Sequence, residues 1–181
     1  MQSPLGSHKG LERVELEPGL VACRCPETGG NWIPLENYQR WHATQPAEEP
    51  THEMVSVKAE AGEFDDRPKQ CPESGAVMMR YRVGHGLPFR IDRSRTGGVW
   101  LDAGEWEALQ SCGLHRLIHR ISTAPWQQAV RQQEMEATVQ AQLEERLGTD
   151  LLQRLTALKA ELANHPQRDA ALAFLKGSQK A

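Results

Sequence analysis

Four cysteines are the first residues to weigh for chemistry: Cys23, Cys25, Cys71 and Cys112. A structural zinc site needs four Cys or His ligands in a closed tetrahedron, paired in knuckles with two to four intervening residues. Cys23 and Cys25 are too close for such a knuckle. Three readings remain: free thiols in a reducing cytosol, a remnant or transient metal site drawing on His8, Cys23, Cys25 and Cys71, or a redox pair. The first is adopted, with no metal and no cofactor expected. Cys112 and His115 are three residues apart and could form a nucleophilic couple on a helix. No third group is visible to orient the base, so no catalytic residue is assigned. The chain also has no P-loop, no dinucleotide-binding glycine pattern, no His-Glu-x-x-His and no nucleophile elbow. A non-enzymatic protein is expected.

Arginine supplies the strongest local charge. Arg80, Arg82, Arg90, Arg93 and Arg95 fall within one hairpin and its exit, against a single acid, Asp92. His115, Arg116, His119 and Arg120 follow at helical spacing. Such a set could contact phosphate or an acidic protein. The alternative is a solvated face, satisfied in part by the acidic stretch of the same chain. Asp102, Glu105 and Glu107 could be read as a carboxylate cluster. Asp102 stands just before a helix, however, so it is read as an N-cap or N-terminal anion.

These residues sit on a chain of 181 residues, 39% hydrophobic and 25% charged, with a formal net charge of −3. The sequence pI is about 6.2, which gives no global basic field to attract nucleic acid. No apolar run approaches the ~20 residues that span a bilayer. The first ten residues carry no signal-peptide core, so no membrane association and a cytoplasmic location are expected.

The positioning elements come in duplicate. Thr96-Gly-Gly-Val-Trp100 has a near-copy in Thr28-Gly-Gly-Asn-Trp32, displaced by 68 residues. Each copy follows strand-like runs and leads into a helix-like stretch, which identifies an internal repeat. Before the first copy, Leu11 to Leu16 alternates apolar and polar, Pro18-Gly19 turns, and Leu20 to Arg24 returns. Before the second, Ala76 to Val83 is a strand, Gly84-His-Gly86 turns, and Pro88 to Asp92 returns. Trp32 and Trp100 are expected to be equivalent core residues.

The second copy resembles the TFIIB-type (transcription-factor-type) zinc ribbon of bacteria. Cys71-Pro-Glu-Ser74-Gly stands for its first knuckle, and Arg93-Ser-Arg-Thr96-Gly-Gly-Val-Trp-Leu-Asp-Ala-Gly-Glu105 for its second. The metal positions carried over are Cys71, Ser74, Arg93 and Thr96, of which only Cys71 can bind zinc as a thiolate. In the first copy the same positions are Leu5, His8, Cys25 and Thr28. The resemblance implies two degenerate ribbons that have lost most of their ligands. Arg93 is expected to replace the metal as a cross-link, through hydrogen bonds to nearby carbonyls or hydroxyls.

Residues 43–70 are acidic and aperiodic and read as a linker, with one short strand at Met54–Val57. After the second copy, Trp126 to Leu147, a stretch from Thr149 or Asp150 to Leu162, and Arg168 to Lys176 read as three helices. Their narrow apolar stripes suit a helix–helix seam or a partner-binding coiled coil. The expected fold is α+β: ribbon-like hairpin modules at 5–42 and 71–110, the linker at 43–70, and a helical region at 111–176. The expected function is an interaction or adaptor module that docks onto a protein partner. The alternative is nucleic-acid binding through Arg80, Arg82, Arg90, Arg93 and Arg95.

Overall fold

The alternation from Leu11 onward becomes strand β1 (Glu12–Glu17), which turns at Pro18-Gly19 into β2 (Leu20–Arg24). Gly19 takes φ +84°, and its N–H donates to the Glu15 carboxylate at 2.7 Å, closing the turn. The computed structural model describes residues 1–5, 10–46 and 62–177, so His8 and the strand expected at Met54–Val57 lie outside the described residues. The Trp residues do not simply pack after a glycine turn. Each lies in a short third strand, β3 (Asn31–Ile33) or β6 (Val99–Leu101), entirely buried. Between them in sequence come β4 (Met79–Gly84) and β5 (Leu87–Arg93). All six strands form one antiparallel sheet in the order β1-β2-β3-β6-β5-β4.

The two repeats therefore share one sheet, joined along β3 and β6. Trp32 pairs with Trp100, Asn31 with Leu101 and Ile33 with Val99. This is the self-complementary pattern of a two-fold interface, here inside one chain. The glycines before each Trp explain the fit. A Cβ on Gly30 would stand 2.3 Å from the Trp100 ring, and one on Gly98 would stand 2.4 Å from the Trp32 ring. Each half thus supplies the floor on which the indole of the other half lies. Both Trp are fully buried.

Alternation along the strands gives the sheet two covered faces. Trp32 and Trp100 point to one face, with Cys25, Cys71 and Met78. The other face carries Leu20, Ile33, Phe89, Ile91 and Leu101. Helices cover it: α1 (Leu35–His42), α2 (Glu105–Ser111), a 3-10 turn (Leu114–Leu117) and α3 (Ile118–Ile121). Tyr38 and Trp41 of α1 and Trp106 and Leu109 of α2 are buried against it.

Asp102 is not the N-cap of α2, as its position suggested. The cap is Gly104, with no side-chain cap hydrogen bond. Nor do Thr149 or Asp150 cap the next long helix but one; its N-cap is Gly148. Residues 62–70, read as part of a linker, are built into the sheet domain. Gln70 bridges Val77, and Asp65 and Lys69 are buried. Polarity predicted exposure there, but the charges find partners inside.

Helix α4 (Ala124–Leu147) begins against the hairpin tip of β4 and β5. Trp126 Nε1 donates to the Val83 carbonyl at 2.9 Å, and Gln127 Nε2 to the Arg82 carbonyl at 2.8 Å. Val130 packs where a Cβ on Gly84 would stand only 2.6 Å away. These contacts shield strand β4, which would otherwise be an open sheet edge. The chain divides into two compact units, Met1–Arg131 and Gln132–Ala181. The second contains the rest of α4, α5 (Thr149–Ala163) and α6 (Arg168–Lys176). The protein is thus α+β, an antiparallel six-stranded sheet domain followed by helices.

Candidate functional site

The five arginines singled out from the sequence do not form one free patch. Strand pairing brings Arg82 opposite Arg90 and Arg80 opposite Asp92. Asp65 then engages two of them. Its Oδ1 accepts the Arg90 backbone N–H and its Oδ2 the Arg90 guanidinium, both at 2.7 Å. Asp66 accepts a further bond from Arg90 at 3.1 Å, and Arg80 donates to the Asp65 carbonyl at 3.0 Å. The acidic stretch of the chain is therefore the partner of this pair. Arg93 donates to the hydroxyl of Ser122, tying the end of β5 to the end of α3. Arg95 is exposed. His115 and His119 do not share an exposed face. His115 is buried between Trp41 and Trp106, at ring distances of 5.8 and 5.6 Å. Burial, and then the charges of His42, Arg120 and Arg93, hold His119 below the usual imidazole range; burial does the same for His115 against the pull of Glu17.

The chemistry that the sequence did not announce is a buried charge centre around Lys69. Its ammonium lies 2.7 Å from Asp92 Oδ2 and 3.1 Å from Asp102 Oδ2. Side-chain exposures of 1%, 1% and 4% show that water does not screen these contacts. Trp100 Nε1 donates to Asp102 Oδ1 at 2.8 Å. Glu105 Oε2 accepts the Asp102 backbone N–H at 2.8 Å. Asp92 Oδ1 and Glu105 Oε1 are buried without hydrogen-bond partners among the described residues. Burial pushes Asp92 up to about 6 even against the Lys69 charge. It pushes Glu105, which also feels the Asp102 charge, up to about 9. At neutral pH the centre therefore holds the Lys69 ammonium, the Asp92 carboxylate and a protonated Glu105. Desolvation disfavours the charged form of Lys69, and the two carboxylates outweigh it and hold the proton on.

Asp102 and Glu105 belong to the carboxylate cluster that the sequence offered and structural roles displaced. The two lie together and buried, with Glu105 accepting the Asp102 N–H. Glu107 is exposed and stands apart. Lys69 was missed because it lies in an aperiodic polar stretch. The available signal was Asp92, the one acid of its strand, since an acid that becomes buried calls for a cation.

Two turns share one backbone design, and a third is a residue shorter. Cys25 N–H donates to Gly30 O at 2.8 Å, and Gly29 N–H to Cys25 O at 2.9 Å. Cys71 repeats the pair with Ala76 and Gly75, both at 2.8 Å. Ser94 closes the shorter turn with Gly98 and Gly97, at 2.9 and 3.1 Å. At Cys25 burial opposes the thiolate. Hydrogen bonds from the Ser3 and Thr28 hydroxyls and from the N–H groups of Thr28 and Glu27 outweigh it and bring the thiol down to about 7. Cys71 is buried as well, and all four cysteines are free thiols. Among the described residues, no group of three or more His, Cys, Asp or Glu is placed to hold a metal ion. The donor set agrees with that: Ser74, Arg93 and Thr96 accompany Cys71 in the second repeat.

The helices beyond residue 131 present apolar surface. Met135, Val139, Leu143 and Leu147 of α4 are 69, 49, 38 and 38% exposed, and Leu151 and Leu155 of α5 are 41 and 43% exposed. Phe174 of α6 is 78% exposed. Among the described residues, no helix is long and apolar enough to cross a membrane. No protein-family model matches the chain, and neither a curated protein nor a solved structure matches it.

Proposed function

We propose that this chain is a non-enzymatic interaction module that docks onto a protein partner through its C-terminal helices, with the sheet domain as a rigid base. The exposed apolar row on α4 and α5 carries this reading. Soluble proteins seldom leave large contiguous apolar patches uncovered unless something binds there. Helix-in-groove recognition uses such i, i+4 rows. The sheet domain supports the reading by contrast, since its arginines, indoles and buried acids are largely spent on its own structure. A kinship with degenerate zinc ribbons fits the repeated turns at Cys25 and Cys71, whose hydrogen bonds persist around residues that cannot close a metal site. On that view the scaffold was kept for the surface it displays. Fold likeness alone assigns no activity.

Nucleic-acid binding through Arg80, Arg82, Arg90, Arg93 and Arg95 is the second reading. It draws less support, because Arg80 and Arg90 are held by Asp65 and Asp66 and Arg93 by Ser122. A pull-down with tagged full-length chain, with and without nuclease, separates the two. Protein capture that survives nuclease and is lost in Leu143→Glu supports docking through the helices. Bound material that vanishes with nuclease or modest salt overturns it, since phosphate contacts weaken steeply with salt.

A further inference from the structure

We propose that Lys69 and Asp92 condense to an intramolecular isopeptide bond, with Asp102 as the proton carrier. Three observations point to this. The ammonium nitrogen and a carboxylate oxygen are in contact at 2.7 Å, with both side chains removed from water. A second carboxylate, Asp102, is 3.1 Å from the same nitrogen, and its other oxygen is fixed by the Trp100 indole. The second oxygen of Asp92 and the Oε1 of Glu105 are buried without partners. An ordinary structural ion pair satisfies its remaining lone pairs with hydrogen bonds. Here those two oxygens have no protein partner among the described residues.

The atoms balance without any added reagent. Asp102 Oδ2 takes a proton from the Lys69 ammonium, leaving a neutral amine. The amine lone pair attacks Asp92 Cγ, and a C–N bond forms. One Asp92 oxygen departs, taking the two protons lost by nitrogen, and leaves as water. Asp102 ends as it began, and one positive and one negative charge are replaced by a neutral amide. Nothing is oxidised or reduced. Burial favours the chemistry at Asp92, whereas the two carboxylates hold the proton on Lys69, so its transfer to Asp102 is the uphill step. Burial pushes Asp92 upward, towards the protonated acid that amine attack requires. It also excludes the water that would reverse the reaction. Fixed contact supplies effective molarities of about 10⁵ to 10⁸ M in well-aligned intramolecular reactions. The product would staple the stretch before β4 to strand β5.

Intact-mass spectrometry of purified full-length chain is the test. The expected result is a protein lighter than its sequence by one water, and a branched peptide joining Lys69 to Asp92 after proteolysis. Lys69→Arg and Asp92→Ala should keep the full sequence mass. Asp92→Asn should react with loss of ammonia instead and reach the same final mass as the natural chain. Asp102→Ala should slow the mass change by about a hundredfold or more, the usual worth of a positioned proton carrier. If the natural chain keeps its full mass after days at neutral pH, the proposal is overturned, whatever the variants do. A lost water that maps to a cyclised aspartate, with no branched peptide, overturns it equally.

Discussion

The two halves of the sheet share a backbone and differ in what fills it. Where the second half has Asp92, Asp102 and Glu105, the residues 68 positions earlier are Arg24, Pro34 and Asn37. Arg24 reaches across to Asn31 at 2.9 Å, and Asn37 donates to the Val21 carbonyl at 2.8 Å, both at partly buried sites. The second half sinks its charges instead and needs Lys69, which the first half does not have. Cys25 and Arg93 are a further equivalent pair: one keeps a thiol in a hydrogen-bonded turn, the other ties β5 to α3. The shared part is the exchange of Trp and Gly between β3 and β6. Backbone fit at that seam fixes the architecture, and each half is free to solve its own polar interior.

The largest break in the comparison should come from Lys69→Met. It leaves Asp92 and Asp102 buried without a cation, and breaking such a pair costs about 3–5 kcal/mol. Urea unfolding should show that loss, together with loosening of residues 62–70 in hydrogen exchange. Gly98→Ala attacks what the halves share. Its Cβ would meet the Trp32 ring, itself enclosed, and overpacking of this kind costs about 1–3 kcal/mol. Gly30→Ala should cost about the same, because the seam is symmetric; a large difference between the two would show that the halves bear unequal load.

Glu105→Gln should sharpen the contrast by stabilising the protein. Folded Glu105 holds its proton up to about 9, while the unfolded residue loses it near 4.5, the ordinary value. Between those limits unfolding releases a proton, so stability falls as pH rises. Glutamine removes that slope and can still accept the Asp102 N–H. A gain that grows by about 1.4 kcal/mol per pH unit above pH 4.5, and vanishes near that pH, is expected in thermal melts. Asn37→Ala, at the matching position of the first half, should cost about 1 kcal/mol with no such slope.

Much of this was legible. The repeated Thr-Gly-Gly-x-Trp, the alternating runs and the Gly148 break placed both hairpins, the equivalence of Trp32 and Trp100, and the three C-terminal helices. The third strands were not legible, because three residues are too few to show a period. Their pairing is decided by contact with the other repeat. Lys69 and Asp65 were hidden for a related reason. A local pattern records which face a residue takes, whereas a buried ion is specified by partners 23 to 33 residues away. The arginine hairpin showed the opposite failing: its charge was plain, and its use was not.

The crossed placing of each indole on the other repeat's glycine bears on synthesis. A chain emerging N-terminus first completes β1, β2 and β3 long before residue 98 exists, so Trp32 waits uncovered beside an unpaired strand. The same segment of a neighbouring nascent chain offers an equivalent surface. Correct closure relies on the tether between the repeats keeping the local concentration of the proper partner above that of any stranger. Slow translation or crowded polysomes should therefore favour swapped dimers, in which the seam forms between chains.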